Sequence, residues 1–247
     1  VNEVDGDVIV TGPGFSLNID GVEELAMVGG PAGSSIILGD LTGTDIADDT
    51  IIFTGGPRND FFNGAADAHT QELAGNWGND ALQSGSGNDL LDGGDGNDTL
   101  TGNAGFDTLK GGASQDSLDG GSNNDTLDGG PGIDTVAGGS GDDTIYFEVS
   151  DTLADGGTGT DTLRPFGEML DLRGISGTKL QSIEAINLRG FFRGNLTIDA
   201  QSVLDLSHDS DTLRVYGAGA AQGGAVGGWV QGSSFNDGGT LFNTWTS

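Results

Sequence analysis

Residues 88–112 read NDLLDGGDGNDTLTGNAGFDTLKGG, and this stretch decides the fold. A glycine-rich run, an aspartate and an aliphatic residue return in it every nine residues. Neither the α-helix, with about 3.6 residues per turn, nor the β-strand, with a period of about two, explains such an interval. The pattern therefore indicates a repeated structural unit that is longer than one turn or one strand.

Eight consecutive units of nine residues fill positions 75–146. They read GNWGNDALQ, SGSGNDLLD, GGDGNDTLT, GNAGFDTLK, GGASQDSLD, GGSNNDTLD, GGPGIDTVA and GGSGDDTIY. The sixth position is always aspartate, at Asp80, Asp89, Asp98, Asp107, Asp116, Asp125, Asp134 and Asp143. The eighth position is always aliphatic, at Leu82, Leu91, Leu100, Leu109, Leu118, Leu127, Val136 and Ile145.

The last three residues of each unit predict a short strand whose middle side chain points inward. The six residues before them are glycine-rich because a tight turn needs backbone conformations of positive φ. Asn123 stands at the fourth position of its unit, and asparagine is the next best residue for that conformation. Ser114 stands at the same position and predicts a strained or weaker turn.

Two units together predict one coil of the chain, because a single strand with one apolar residue can bury nothing alone. Alternate strands then build two parallel sheets with about 4.8 Å between neighbouring strands, and each turn lies beside the second turn that follows it. The inner faces are lined by Leu82, Leu100, Leu118 and Val136 on one side and by Leu91, Leu109, Leu127 and Ile145 on the other. The predicted fold class is all-β, a β-roll of nonapeptide repeats flanked by irregular β-solenoid coils.

The register extends beyond the eight units. Residues 156–164, GGTGTDTLR, restore it with Asp161, and they begin one full coil after Gly138. Upstream, GGPRNDFFN at 55–63 also fits, with Asp60, but residues 64–74 are two too many, so a bulge or small loop should interrupt the roll. We therefore expect three parts: an N-terminal cap over 1–54, a β-roll over 55–164 and a C-terminal cap over 165–247.

The charge is strongly negative, at −30, and thirty of the 38 acidic residues precede Arg164. Such a surface repels nucleic-acid phosphates and anionic lipid and attracts cations. A solubilising acidic surface is the alternative, but it does not explain fixed spacing. The absence of cysteine excludes disulfides and thiolate metal sites, and no apolar run has the length of a membrane span.

The coil places the aspartates in two rows. The first row contains Asp80, Asp98, Asp116 and Asp134, and the second row contains Asp89, Asp107, Asp125, Asp143 and Asp161. Carboxylates repeating at about 5 Å repel one another unless cations lie between the turns. Carboxylate and carbonyl oxygens form a cage that suits calcium better than magnesium, which prefers to keep its water ligands.

These units resemble the RTX calcium-binding repeat, G-G-x-G-x-D-x-U-x with U aliphatic. The resemblance implies a right-handed parallel β-roll that binds Ca²⁺ between turns, with ligands from the aspartate carboxylate and the carbonyls of the first four turn positions. The implied carbonyl ligands are Gly75, Asn76, Trp77, Gly78, Ser84, Gly85, Ser86, Gly87, Gly93, Gly94, Asp95, Gly96, Gly102, Asn103, Ala104, Gly105, Gly111, Gly112, Ala113, Ser114, Gly120, Gly121, Ser122, Asn123, Gly129, Gly130, Pro131, Gly132, Gly138, Gly139, Ser140, Gly141, Gly156, Gly157, Thr158 and Gly159.

The register also predicts the number of ions. Three sites lie between the turns of the first row and four between those of the second, which gives about seven calcium ions. A further site at Asp60 is doubtful because of the two extra residues in 64–74. The site between the Asp98 and Asp116 turns should be the least ideal, because Ser114 replaces glycine there.

A weaker repeat flanks the roll. DGVEELAMVGG at 20–30 matches QSIEAINLRG at 181–190, with Glu23 against Glu184, and DDTIIFTGG at 48–56 matches SDTLRVYGA at 210–218. We expect these segments to cap the ends of the solenoid, and a dedicated binding surface is the alternative. They resemble the closing region of large bacterial RTX adhesins and surface proteins. This resemblance implies a region near the C-terminus of such a protein, and Val1, an unusual first residue for a complete chain, predicts a segment of something longer.

No catalytic constellation is evident, and we expect no enzyme. His69 and His208 are predicted to be isolated surface residues, and Ser207, His208 and Asp209 are neighbours in sequence, whereas triads are assembled in space. Two readings remain for the aromatic residues: closure of the ends of the core, which is favoured, or a sugar-stacking or partner surface. They are Trp77, Trp229 and Trp245, with Phe191, Phe192 and Arg193.

The sequence thus predicts a calcium-binding β-roll module with a structural or adhesive role. The resemblance implies a parent protein secreted by a Gram-negative bacterium through the type I machinery, and folding on Ca²⁺ outside the cell. The alternatives are a module that binds glycans or another surface component, and the non-catalytic C-terminal module of a secreted lipase, protease or epimerase.

Overall fold

The computed structural model of the chain describes residues 2–4, 7–11, 25–28, 33–37, 50–166, 169–172, 179–188, 195–197, 206, 212–216, 230–231, 235–237 and 240–246. This part of the chain contains 25 strands. The strands before the central repeats are β1 (Asn2–Val4), β2 (Asp7–Thr11), β3 (Leu25–Val28), β4 (Ser35–Ile37), β5 (Ile51–Thr54) and β6 (Phe61–Asn63).

The strands of the central repeats are short and follow one another at regular intervals. They are β7 (Gln71–Trp77), β8 (Ala81–Gln83), β9 (Leu90–Asp95), β10 (Thr99–Thr101), β11 (Thr108–Ala113), β12 (Ser117–Ser122), β13 (Thr126–Asp128), β14 (Thr135–Ser140), β15 (Thr144–Phe147), β16 (Leu153–Thr158) and β17 (Thr162–Pro165). The remaining strands are β18 (Met169–Asp171), β19 (Leu180–Gln181), β20 (Ala185–Asn187), β21 (Asn195–Thr197), β22 (Thr212–Tyr216), β23 (Val230–Gln231), β24 (Phe235–Asp237) and β25 (Thr240–Thr246).

The strands form two large sheets that face each other across a thin core. The long sheet has the order β1-β2-β3-β5-β7-β9-β11-β13-β15-β17-β20-β22-β25-β23, with β24 paired to β25. The short sheet has the order β19-β16-β14-β12-β10-β8-β6-β4, and β18 and β21 form a separate pair. Successive repeat strands alternate between the two large sheets, so the predicted solenoid of parallel strands is confirmed.

The register of the strands confirms that one coil consists of two units. Leu100 is the partner of both Leu82 and Leu118 in the short sheet. Leu109 is the partner of Leu91 and Leu127 in the long sheet, again with parallel pairing. Each strand therefore lies beside the second strand that follows it, as the spacing predicts.

The core is a single layer of side chains supplied by the eighth position of each unit. All eight predicted aliphatic residues are buried, and the layer continues upstream through Phe53 and Phe62, whose rings stack with centroids 5.2 Å apart. Downstream it continues through Ala154, Leu163 and Ile186. Most strands of the repeats bury only one side chain in this layer, so the core is thin and every coil depends on its neighbours.

The turns use positive φ at the places that the repeat predicts. Asn123 has φ of 75° and Ser114 has φ of 99°, which confirms both expectations for the fourth position. Ser114 is therefore held in a conformation that is unfavourable for a residue with a side chain. A Cβ added at Gly96 would collide with the carbonyl oxygen of Gly78 in the preceding coil, so close stacking as well as φ requires glycine there.

The segments of irregular length do not interrupt the sheets. Residues 64–70 form the expected small loop, yet β7 begins at Gln71 and pairs with both β5 and β9, so the predicted interruption of the roll is wrong. The loop absorbs the two extra residues outside the sheet. Residues 147–155 keep the coil length, because Gly139 remains the partner of Gly157.

The flanking segments extend the solenoid at both ends. In the long sheet β3 pairs in parallel with β5, and β20 pairs in parallel with β17 and β22. The pairing then changes sense: β25 is antiparallel to β22, and β1 is antiparallel to β2. These antiparallel strands cover edges that a parallel solenoid would leave open, which supports the capping interpretation. The division into three parts at residues 54 and 164 stays a prediction.

Candidate calcium-binding rows

The turns that carry the aspartates lie along the two flanks of the solenoid. Each first-row turn leads from the long sheet to the short sheet, and each second-row turn leads back. Consecutive aspartates of one row belong to adjacent coils, because their strands are hydrogen-bonded neighbours. All nine predicted aspartates are buried: Asp80, Asp98, Asp116 and Asp134 in the first row, and Asp89, Asp107, Asp125, Asp143 and Asp161 in the second.

One carboxylate oxygen of each aspartate joins adjacent coils through a hydrogen bond. The N–H of Asp98 donates to Oδ1 of Asp116 at 2.8 Å, and the N–H of Asp80 donates to Oδ1 of Asp98 at 2.7 Å. The second row repeats the arrangement, for example from Asp107 to Asp125 at 2.8 Å. These hydrogen bonds form a ladder along each row, from one aspartate to the next. The ladder fixes the orientation of every carboxylate, a role that the sequence did not predict.

The other carboxylate oxygen, Oδ2, is buried and has no hydrogen-bond partner in any of the nine aspartates. A buried carboxylate oxygen without a partner is strongly unfavourable, and native proteins rarely leave one so. Here the unpartnered atom recurs at the same place in every coil. Its regular recurrence indicates a ligand position rather than a packing defect.

The surroundings of Oδ2 are made of oxygen atoms and glycine. A Cβ added at Gly102 would lie 2.5 Å from Oδ2 of Asp107 and 2.6 Å from the carbonyl oxygen of Gly120 in the next coil. The carboxylate oxygen and the next coil's carbonyl therefore face the same small space beside the first glycine of the turn. A carboxylate with backbone carbonyls is the donor set that Ca²⁺ takes in proteins, so the residues fit the ion.

Backbone oxygens are necessary for this site. In the part of the chain that the structure describes, no three histidine, cysteine or acidic side chains come together as a metal site. A calcium ion between two coils would therefore take one or two carboxylates and complete its shell with carbonyl oxygens. The structure does not test the carbonyl ligands individually, and those assignments stay predictions.

Burial and the neighbouring charges make the carboxylates weak acids in the absence of a cation. Burial raises the pKa of Asp107, Asp116 and Asp125 to about 7, the hydrogen bond from the previous coil lowers it in part, and neighbouring aspartates in the row raise it further. The pKa of Asp80 is raised to about 6 for the same reasons. A cation between the turns would oppose each of these effects by favouring the ionised form.

These shifts predict that acid stabilises the metal-free chain. The ordinary aspartate pKa is 3.8, so between about pH 4 and 7 the folded state holds more protons than the unfolded state. Stability in chelator should therefore fall as the pH rises through this window. Circular dichroism in chelator at pH 5.5 and pH 8 measures the difference, and a chain with less β structure at pH 5.5 than at pH 8 contradicts the prediction.

Four residues outside the two predicted rows continue the ladders. The N–H of Gln71 donates to Oδ1 of Asp89, where the second row begins, at 2.7 Å. The N–H of Asp60 donates to Oδ1 of Asp80, where the first row begins, at 2.6 Å. The other two, Asp151 and Glu184, accept from the last aspartates of the rows. Gln71 keeps the spacing of one coil but is not an aspartate, and Asp151 lies one residue short of that spacing. Loops of irregular length displace Asp60 and Glu184. The sequence register also indicates Asp60, whereas only position in the fold identifies the other three.

A second ladder runs through the fifth position of the units, outside the carboxylate rows. The N–H of Asn97 donates to Oδ1 of Asn79 at 3.0 Å, and the N–H of Gln115 donates to Oδ1 of Asn97 at 3.1 Å. On the other flank the N–H of Phe106 donates to Oδ1 of Asn88 at 2.9 Å. These exposed bonds explain why asparagine is frequent just before the aspartate.

One sequence prediction about a single residue is wrong, and another holds only in part. Trp77 does not close the core, because 60% of its surface is exposed and its turn position faces solvent. His69 is only partly exposed, with 16% of its side-chain surface accessible, and its Nδ1 lies 2.8 Å from Oδ1 of the buried Asp67. The side-chain predictions for Trp229, Trp245, Phe191, Phe192, Arg193, Ser207, His208, Asp209 and Glu23 lie outside what the structure describes.

The family model of the RTX calcium-binding nonapeptide repeat matches the chain in four copies, over residues 74–109, 92–127, 101–136 and 128–146. The central turns are RTX repeats. Comparison with curated proteins and with solved structures gives no significant match. The matched residues contain eight of the nine aspartates with an unpartnered Oδ2, and Asp161 lies beyond them. RTX repeats bind Ca²⁺, in agreement with the oxygen donors of the two rows.

Proposed function

We propose that this chain is a calcium-binding RTX module of a secreted bacterial protein, and that it folds on Ca²⁺ outside the cell to serve a structural or adhesive role. The observation that supports the proposal is the recurrence of nine buried Oδ2 atoms without partners in two rows. Each row places these atoms between adjacent coils, so one ion would contact two coils at once. Calcium would thereby hold together a solenoid whose core alone is thin.

The proposed role is mechanical, since the carboxylates of the RTX turns would hold ions that join adjacent coils. The carboxylates are tied into the backbone by Oδ1, and Oδ2 lies beside carbonyl oxygens of the adjacent coil, where an ion would join the two coils. Such a rod would separate or present other parts of an extracellular protein. In the described residues, no helix is long and apolar enough to cross a membrane.

A second candidate is the binding of a glycan on the outer surface of the roll. It is favoured by Trp77, whose exposed ring lines a shallow depression of about 270 Å³ together with Asn76, Asp92 and Asp95. An exposed indole beside amide and carboxylate oxygens is suited to stacking on a sugar ring and accepting its hydroxyl hydrogen bonds. A glycan array probed with the chain at millimolar calcium separates this candidate from a purely structural role.

The calcium content tests the main proposal. Native mass spectrometry after equilibration at millimolar calcium should count at least seven ions per chain, the number that the inter-turn spaces of the two rows provide. Asp116→Asn should bind fewer ions, because it removes the charge of one unpartnered Oδ2. Magnesium at the same concentration should not replace the lost ions.

Asp119→Asn is the matched control for this measurement. Asp119 belongs to the same strand region, β12, and its exposed side chain lies on the outer face of the short sheet. The same chemical change there should leave the number of bound ions unaltered. A wild-type chain that binds no calcium, or equal losses in the two variants, would refute the proposal.

A further inference from the structure

We propose that a further calcium site closes the second row, between the RTX turn at 156–161 and the non-repeat residues Ser182 and Glu184. This inference rests on the proposed calcium binding of the roll. The turn that contains Ser182 and Glu184 has no glycine pair and does not match the nonapeptide pattern. Three independent features of this turn reproduce those of an RTX turn.

The first feature is the place of the Glu184 carboxylate in the ladder. The N–H of Asp161 donates to Oε2 of Glu184 at 2.9 Å, just as the N–H of Asp143 donates to Oδ1 of Asp161 at 2.8 Å. The glutamate therefore occupies the position of the next row aspartate. Its longer side chain reaches that position although the spacing is 23 residues instead of 18.

The second feature is the backbone that surrounds this carboxylate. The N–H of Ala185 donates to the carbonyl of Asp161 at 2.9 Å, and in the preceding coil the N–H of Thr162 donates to the carbonyl of Asp143 at 2.8 Å. Both donors immediately follow the ladder acid of their coil. The segment at 181–185 thus stacks on the last RTX turn in the same register as one RTX turn stacks on another.

The third feature is a carbonyl in the position of an ion ligand. A Cβ added at Gly138 would lie 2.6 Å from the carbonyl oxygen of Gly156, the first residue of the next turn. At Gly156 the nearest atom is instead the carbonyl oxygen of Ser182. Ser182 has φ of 51°, in the left-handed region that the RTX turns also use, and this conformation is unusual for serine.

The side chain beside this carbonyl carries an unpartnered oxygen. Asp161 is fully buried, and its Oδ2 has no hydrogen-bond partner. Its side chain lies against Gly156, beside which the Ser182 carbonyl is also placed. The site therefore offers the Asp161 and Glu184 carboxylates together with a backbone carbonyl, which is the donor set of the other inter-turn spaces.

The end of the first row shares two of these features, because the N–H of Thr152 donates to the carbonyl of Asp134 at 2.8 Å and Oδ2 of Asp134 has no partner, but it lacks the others. Asp151 occupies the ladder position there, but its Oδ2 accepts the N–H of Glu148 at 2.7 Å and its Oδ1 accepts that of Asp134 at 3.4 Å. The three atoms nearest to a Cβ added at Gly129 all belong to Asp134, so no carbonyl oxygen of the next coil lies as close to it as these atoms. The first row ends in a hydrogen-bonded cap, and the second row ends in an ion site.

An ion at this place would fasten the segment 179–188 to the roll. The segment contributes β19 to the short sheet and β20 to the long sheet, so it is the first coil beyond the repeats. Calcium-dependent order would then extend past the last RTX turn into the C-terminal coils.

Native mass spectrometry at millimolar calcium, with Glu184→Gln as the variant, tests this site. Glutamine has the same shape and can still accept the Asp161 N–H, so the variant should keep the wild-type circular dichroism and bind one ion fewer. Its peptides from 179–188 should also exchange amide hydrogens faster at millimolar calcium. Glu72→Gln, at an exposed site on β7, should keep the wild-type ion number.

The possible outcomes separate the site from the function on which it rests. A Glu184→Gln chain with the wild-type number of ions and wild-type exchange in 179–188 would overturn the site alone. A wild-type chain without bound calcium would overturn both the site and the proposed function. Asp151→Asn gives the complementary check, because the first row should lose no ion when its hydrogen-bonded cap is altered.

Discussion

In chelator at neutral pH, the chain is expected to lose the β-sheet circular dichroism that it shows at millimolar calcium. Without cations, nine buried carboxylates stand in two rows, and each leaves one oxygen without a partner. Ionising them costs free energy through burial and mutual repulsion, as the raised pKa values of Asp107, Asp116 and Asp125 indicate. Calcium removes both costs, so binding and folding should be one coupled process.

The size of the effect follows from the thin core. Each coil orders two whole units but buries only two side chains of the central layer, so hydrophobic burial alone offsets too little of the lost chain entropy. We expect the folding midpoint at calcium concentrations on the order of 10⁻⁴ to 10⁻³ M, the range of extracellular calcium modules. Circular dichroism during a calcium titration, with magnesium as the control ion, measures this midpoint.

A complete β spectrum in chelator at pH 8 would contradict the coupling. The pH must be stated because acid partly replaces calcium: protonated carboxylates no longer repel one another. If the parent protein is exported as we propose, the coupling would keep the module unfolded in the low calcium of the cytosol. It would then fold on reaching millimolar calcium outside the cell.

Features that depend on a fixed period could be predicted from the sequence. The coil of two units, the alternation of sheets and the burial of residues such as Leu100 and Leu109 all follow from two constant positions in eight units. The left-handed conformations of Asn123 and Ser114 follow from the same register. In each case the repeat supplies many independent copies of one observation.

Features set by loop length could not be predicted in this way. Asp151 and Glu184 join the ladders at spacings that irregular loops determine, and no period points to them. The match of Glu184 with Glu23 in the flanking repeat was the one available signal. The two uses of each carboxylate, Oδ1 for the backbone and Oδ2 for an ion, require coordinates because a sequence does not distinguish the two oxygens.

The prediction for Trp77 was wrong for a related reason. Tryptophan is usually buried, and the sequence favoured closure of the core. The third position of an RTX turn, however, lies on the outside of the flank, where Asp95 is its partner in the neighbouring coil. Position within the repeat decides exposure here more strongly than hydrophobicity.

Leu100→Asp is expected to abolish folding at any calcium concentration. Leu100 is fully buried between Leu82 and Leu118 in the short sheet, and the layer has no polar group to receive a carboxylate. Loss of the leucine side chain alone costs about 2–5 kcal/mol, and a buried unpaired charge adds to that cost. Calcium cannot reverse the defect, because the new carboxylate faces the core and not the ion rows.

Asp98→Ala should behave differently, although the residue is only two positions away. Its loss removes one Oδ2 ligand and the hydrogen bond from the Asp80 N–H, so the ions that the first row shares with the turns at Asp80 and Asp116 should weaken. The second row lies on the opposite flank and should keep its ions. The calcium midpoint should therefore rise while the folded spectrum is recovered at higher calcium.

Thr99→Asp is the control that separates the two effects. Thr99 lies between the two residues, and its side chain is exposed on the outer face of β10. The same added charge should leave folding close to wild type. Calcium titrations of the three variants, followed by circular dichroism, give the comparison. If Leu100→Asp were rescued by calcium as fully as Asp98→Ala, the separation of an apolar core from two flanking ion rows would be wrong.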